Sequence, residues 1–352
     1  MTDDAARYRR SPFCLLHWEG GDLLARNCDD PRLFRLAERY VPILHRLAGW
    51  TTTGELSAST GVDEPTIRTA LCRLVDMGLV VTRQDAGDLP ADAGETSWDP
   101  LDLAIQRRTS RGGYDPAKPR SGSPPPAFKP PPPTPAVELA RVGLDDCWSL
   151  RAALDERRSV RTYADADVAL DRLGRFLYAS ARVTRTTTDP VAGRFAHRPY
   201  PSGGARYALE LYAVCNSVAG LAAGAYYYHP RHHALHLVRP RDAWQDEMTR
   251  HARIATGDEV NRDPPVVVVV TAVFQRTMWK YENIALSLIL KDVGALYQTM
   301  YLVATALDLA PCALGGWMEA ENARWLGLDP LVESQVGCFL LGYPETGSVV
   351  GG

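Results

Sequence analysis

Residues 286–307 read LSLILKDVGALYQTMYLVATAL. Apolar side chains fall on most sides of a 3.6-residue helix here, which predicts the buried spine of a domain or of a dimer. Gly294 in its middle costs about 1 kcal/mol against alanine, so it predicts a close helix–helix contact. Asp292 and Gln298 interrupt the apolar surface and need partners if buried. Upstream, VVVVVTAVF at 266–274 is half the length a bilayer span requires and predicts a buried central strand. YALELYAV predicts another strand, and GAYYYHPRHHALHLV predicts a pair folded around Pro230. SLRAALDERR and ALDRLGRFLYASAR predict helices, the second with Leu170, Leu173, Phe176 and Leu177 on one face. AENARWLGL and QVGCFLLGYP close the chain as helix and strand. This mixed order predicts an α+β fold with an antiparallel core sheet flanked by helices.

A second body precedes this one. DPAKPRSGSPPPAFKPPPPTPA at 115–136 holds 10 of the chain's 26 prolines. Such a run neither continues a helix nor pairs in a sheet, so it predicts extended, solvated polyproline II. The reading is a Pro-rich linker at 115–144 between an N-terminal domain at 11–114 and a C-terminal domain at 145–352. In the first domain FCLLHWEGGDLLAR predicts a hairpin turning at Gly20-Gly21. Helical runs are predicted from Pro31 to Tyr40 and from Val41 to Trp50. TTTGELSASTGVDEPTIRTALCRLVDMGLVVTR then has the helix, Gly61 turn, helix and strand order of a winged helix-turn-helix. Ile67, Leu71, Leu74 and Val75 supply the buried stripe of its second helix.

Charge argues against DNA binding by that element. Residues 1–114 carry 14 Lys/Arg against 17 Asp/Glu, and Arg68 and Arg73 of the second helix are offset by Glu64 and Asp76. Phosphate contacts supply most non-specific affinity, and this surface offers few. Peptide recognition or structural support is the expectation instead. The whole chain is near balance, 39 basic against 42 acidic residues in 352, so no polyelectrolyte partner is implied. Seven cysteines without a C-x-x-C pair disfavour zinc and disulfides and suit a reducing, cytoplasmic setting. No nucleic-acid or membrane partner is expected. His229, His232, His233 and His236 lie around an apparent hairpin whose alternate side chains diverge, so no metal is expected.

Four places hold more polar or glycine residues than packing requires. RRSVRTY sets Arg157, Arg158, Ser159 and Arg161 at a helix end. That is either ordinary dipole-favoured cations or a phosphate clamp of guanidinium forks. YPSGGARY, with Ser202, Gly203 and Arg206, is either a tight turn or a backbone open to a flat ligand. CALGGW, with Gly315 and Gly316, leaves the same two readings. In RTMWKYENI, Lys280 and Tyr281 are either a loop lysine and a helix-start tyrosine or a proton-handling pair.

In this order the pieces resemble the flavin-dependent nitroreductase superfamily, and specifically its SagB-type branch, the azoline dehydrogenases of ribosomal-peptide modification. RRSVRTY, PSGGARYALELY, GAYYYHPRHHALHLV, the Lys-Tyr pair, KDVGALYQTMYLVATALDLAPCALGG and FLLGYP carry the resemblance across most of 150–343. It implies FMN held between two protomers of a homodimer. Arg157, Ser159 and Arg161 would take phosphate and ribityl oxygens. Ser202, Gly203 and Arg206 would line the ring edge, with Gln298, Gly315 and Gly316 nearby. Many relatives add a basic residue near the C-terminus. ETGSVVGG has none, so either Arg158 or a partner-chain arginine replaces it or that contact is missing. The implied activity is oxidation of thiazoline or oxazoline rings to thiazole or oxazole in a precursor peptide, with Tyr281 as base and Lys280 as its activator, or the two roles exchanged, and a cyclodehydratase as a candidate partner. The rival readings are a generic NAD(P)H-dependent nitroreductase, a thiazoline oxidase acting on a nonribosomal carrier-bound substrate, and a DNA-binding regulator.

Overall fold

The structure is a computed structural model that describes residues 6–30, 32–85, 99–110, 122–257, 261–281, 283–316 and 319–345. It divides into two compact units, Met1–Tyr114 and Asp115–Gly352.

The first unit begins with β1 (Tyr8–Arg10), β2 (Cys14–Glu19), β3 (Asp22–Asn27) and β4 (Phe34–Arg35). It continues through α1 (Val41–Arg46), α2 (Thr53–Thr60), α3 (Glu64–Asp76), β5 (Val80–Thr82) and α4 (Pro100–Ser110). Gly20 and Gly21 turn the β2–β3 hairpin at φ 58° and 90°, a region open to glycine at little cost. Thr52 and Glu55 form a reciprocal capping box on α2, and Gly61 ends that helix at φ 71°. Asp63 caps α3, whose Ile67, Ala70, Leu71 and Leu74 are buried. The helix predicted up to Tyr40 is not formed. Phe34 pairs with Ala25 as a strand, and a single 3₁₀ turn covers Glu38–Tyr40. Strand pairing buries Leu36 against this sheet, and that outweighs local propensity.

The second unit is built on β6 (Ala136–Glu138), α5 (Leu150–Glu156), β7 (Val168–Ala169), α6 (Leu170–Ala181), β8 (Arg185–Asp189) and β9 (Gly193–His197). Next come β10 (Leu209–Cys215), β11 (Val218–Ala219), β12 (Gly224–His229), β13 (Ala234–Pro240), α7 (Ala243–Ala255) and β14 (Val266–Val273). The chain closes with α8 (Phe274–Met278), α9 (Ala285–Ala306), β15 (Ala310–Leu314), α10 (Glu319–Trp325) and β16 (Glu333–Gly342). Seven strands form one sheet in the order β15-β16-β14-β10-β12-β13-β6, and every pairing in it is antiparallel.

The valine run reads as continuous because both faces of β14 are covered. Val266, Val268 and Val270 join the layer containing α6 and α9, while Val267 and Val269 join the layer containing α7 and α10. Ile289, Leu296 and Met300 of α9 are fully buried, each a contribution of roughly 1.5–3 kcal/mol. One stripe of α9 stays open: Leu286 and Leu290 are 40% and 51% exposed, and a Cβ on Gly294 would meet nothing within 4 Å. Among the described residues, the helix–helix contact predicted at Gly294 is therefore not made. No helix among the described residues is long and apolar enough to cross a membrane.

From Gly122 onward the predicted linker packs onto the second unit while staying largely exposed. Residues 122–144 belong to the second unit: β6 joins the large sheet and Leu139 enters the core. Proline lacks N–H but keeps its carbonyl, and the carbonyls of Pro126 and of Gly122 before the proline run accept from side chains of the unit.

Candidate active site

Helix α9 carries three groups of polar contacts along its length. Near its start, Asp292 accepts hydrogen bonds from Ser202 Oγ at 2.6 Å and from the Gly203 N–H at 3.0 Å. Burial pushes this carboxyl above its usual range, against the pull of those two donors. One turn further on, Tyr297 Oη accepts the Cys338 N–H at 2.6 Å. Gly337 makes room for that hydroxyl, which a Cβ there would overlap. Near its end, the Tyr301 hydroxyl shares a 2.7 Å bond with Ser159 Oγ and accepts the Ala313 N–H at 2.8 Å. The Arg157 guanidinium lies 5.3 Å from the Tyr301 ring centre. Asp292 and Tyr301 are nine positions apart, roughly 13–14 Å along the helix axis.

The Lys-Tyr pair belongs to the Asp292 end. Helix α8 ends in a turn in which Lys280 and Tyr281 both donate their N–H groups to Thr277 O. This turn presses the two side chains against Gly204, at φ 60°. A Cβ on Gly204 would overlap the Tyr281 hydroxyl and lie 3.1 Å from Lys280 Nζ. Lys280 Nζ is 5.5 Å from the Tyr281 ring centre. Tyr281 is buried, while Lys280 is half-buried.

The predicted residues divide by what they do here. Arg157, Ser159 and Arg161 are half-buried at the Tyr301 end. Arg158 is exposed and pairs with Glu156 at 3.4 Å. Gln298 is exposed on the open stripe of α9, and Gly315 and Gly316 are exposed just after β15; a Cβ on Gly315 would meet nothing within 4 Å. Ser202 and Gly203 are turned onto Asp292 and hold the loop. Arg206 also serves the loop: it is buried, donates to Arg276 O at 2.8 Å, and sits between the Trp279 and Phe195 rings. The role foreseen for it at a ligand edge does not fit that placement. Trp317 and the C-terminal residues from Thr346 lie outside the described residues.

A buried network on the opposite sheet face escaped sequence reasoning. Glu210 pairs with Arg276 at 2.5 Å and Arg198 at 3.6 Å. Burial raises this carboxyl, but the two guanidinium groups outweigh it and hold it below its usual value. Glu333 accepts from Thr271 at 2.7 Å, Tyr212 at 3.1 Å and Lys129 at 2.6 Å. The one sequence signal was a glutamate inside the apolar run YALELYAV. Among the described residues no group of three or more His, Cys, Asp or Glu is arranged to hold a metal.

The donors present suit a flavin mononucleotide. Arg157 and Ser159 meet Tyr301 near one end of α9, Arg161 follows two residues on, and the backbone at Gly315–Gly316 is exposed. Arg157, Ser159 and Arg161 would hold the phosphate end.

The nitroreductase family model matches residues 154–343. MJ1384 of Methanocaldococcus jannaschii, a protein named for nitroreductases, is 29% identical over 203 residues, covering 57% of this chain and 93% of its own. The trifolitoxin-processing protein TfxB of Rhizobium leguminosarum bv. trifolii is 28% identical over 50% of this chain and 47% of its own. The microcin B17-processing protein McbC of Escherichia coli is 28% identical over 41% of this chain and 52% of its own. This chain thus spans about half the length of those two processing proteins. A chain of the E. coli microcin synthetase McbBCD complex with truncated pro-MccB17 bound is 22% identical, with TM-score 0.44, covering 54% of this chain and 70% of that one. The matched stretch runs from within α5 to just past β16 and takes in every element that carries Arg157, Gly204, Tyr281 and Tyr301: the chain belongs to the nitroreductase family.

Proposed function

We propose that this protein is an FMN-dependent dehydrogenase that oxidises thiazoline or oxazoline rings in a modified peptide to thiazole or oxazole. The observation that carries the reading is the convergence of Lys280 Nζ and the Tyr281 hydroxyl on Gly204, at the opposite end of α9 from the Arg157–Ser159–Tyr301 group. Flavin, when bound, supplies the acceptor for the hydride. The chain must then supply a base for the ring proton. Tyr281, as its phenolate, takes that proton at its oxygen and becomes the neutral phenol, and the Lys280 ammonium beside it stabilises the phenolate beforehand. Asp292 fixes the loop that backs the pair by accepting from Ser202 and Gly203. The open stripe of α9 at Leu286, Leu290 and Gly294 suits a second copy of the chain. Likeness to two peptide-processing proteins supports a precursor peptide as substrate and a cyclodehydratase as partner.

The test has two parts. The purified protein should be yellow, and Arg157→Ala should lose the colour while remaining folded. Incubated with an azoline peptide, the flavin-loaded protein should remove two hydrogens per ring by mass. Unchanged product mass, with flavin bound and the peptide-modifying partner present, would reject the reading. Family membership also accommodates a nicotinamide-driven nitroreductase. In that case NAD(P)H bleaches the flavin quickly, and nitroarene turnover ignores Lys280→Ala and Tyr281→Ala.

A further inference from the structure

The proline-rich segment is tied to the turn that carries Lys280 and Tyr281. Trp279 Nε1 donates to Gly122 O at 3.2 Å, and Arg276 Nε donates to Pro126 O at 3.0 Å. Pro124 lies over the β8–β9 turn, where a Cβ on Gly193 would sit 2.8 Å from its ring. Ala192 in that same turn accepts from Arg206 Nη1 at 3.3 Å, and Arg206 stacks on Trp279. Three residues past Pro126, Lys129 reaches down into the unit. Its ammonium meets Glu333 at 2.6 Å and Tyr212 Oη at 2.6 Å, and lies 5.3 Å and 5.7 Å from the Tyr212 and Tyr227 ring centres. Beyond it, Thr134 Oγ1 donates to Leu237 O at 2.9 Å, and β6 enters the sheet.

We infer that residues 122–138 form a strap, pinned by Lys129, that positions the Lys280–Tyr281 pair. The inference rests on the reading of that pair as the proton-handling group. A polyproline backbone makes no hydrogen bonds of its own, so its carbonyls are standing acceptors at fixed spacing. Gly122 O and Pro126 O meet the two donors that flank the α8 turn. Past Pro126 the strap is anchored on the sheet by the charge pair of half-buried Lys129 with buried Glu333. Lys129 is therefore a positioning residue: its ammonium is engaged by Glu333 and Tyr212, and it acts through the strap. Without the anchor, Arg276 still has Glu210, but Trp279 loses the fixed acceptor that holds the turn next to Lys280.

The experiment is hydrogen exchange on the full-length protein, read on the peptide spanning Arg276–Tyr281. Lys129→Met strands the buried Glu333 carboxylate and risks unfolding, so Lys129→Met/Glu333→Gln, which removes both charges together, carries the test beside Lys129→Arg. Exchange of this peptide should rise at least tenfold in the double variant and stay at the parent rate in Lys129→Arg. Flavin affinity should stay within twofold. With azoline peptide, kcat should fall at least tenfold at nearly constant KM, and Lys129→Arg should restore it. Parent-like exchange at 276–281 in a folded double variant overturns the inference, as does a rise spread evenly over the whole sheet. Exchange needs no substrate, so a chain that shows the local rise but never oxidises an azoline keeps the strap and rejects only the dehydrogenase reading.

Discussion

The Tyr281 hydroxyl and the α-carbon of Gly204 are in direct contact, with no room between them for a methyl group. Gly204 sits at φ 60°, where an alanine costs about 1–2 kcal/mol in backbone energy alone. Gly204→Ala should thus displace the phenol and strain the loop together. A fall in kcat of about 10- to 100-fold, with flavin still bound, is expected from misplacing a base. Parent-level turnover in the folded variant would show that this contact plays no part in catalysis.

Tyr281→Phe keeps the ring and its packing and removes only the hydroxyl. It should remain yellow and folded and lose about 100- to 10,000-fold in azoline turnover, the range for a general acid or base. Lys280→Met should lose less than Tyr281→Phe, because it removes only the activating charge. Full activity of Tyr281→Phe would take the tyrosine out of the mechanism.

The open stripe of α9 predicts an assembly. Leu290 is 51% exposed on a helix whose opposite face is buried, and covering the exposed half of such a side chain is worth roughly 1 kcal/mol. Leu290→Asp should convert a dimer to monomer in sedimentation and bleach the preparation, because the flavin would sit at that seam. A variant that sediments like the parent would separate the stripe from any dimer contact.

His229 predicts a pH dependence of stability. Burial first, and the stacked His232 ring second, push its pKa down to about 4. An unfolded histidine titrates near 6.5, so between these values the unfolded chain holds the extra proton. Stability present above pH 6.5 is then lost as the pH falls toward 4. His229→Gln should remove on the order of 1–3 kcal/mol of that loss, read as the difference in denaturant midpoints at pH 7 and pH 4.5. Equal losses in both proteins would assign the acid sensitivity to other groups.

Periodicity was enough to read the elements that bury a regular face. The valine strand, the apolar spine and the α2–Gly61–α3 segment were legible because each depends on side chains near in sequence. The β8–β9 hairpin and α7 were not foreseen, since β8 is exposed along its length and α7 buries only part of one face. The contacts of the Pro-rich stretch were not legible because its composition reports what it cannot pair with, not which carbonyls a distant arginine and tryptophan will find.

By itself, the sequence determined the class of the second unit, the clustering of Arg157, Ser159 and Arg161, and the adjacency of Lys280 and Tyr281, all of which are local. Only the tertiary structure decided that Ser202 and Gly203 spend their donors on Asp292, that Arg206 is buried behind the loop, and that Lys129 meets Glu333 across 204 positions of chain. A buried donor or acceptor must find a partner wherever the fold offers one, and that choice depends on which strands lie side by side.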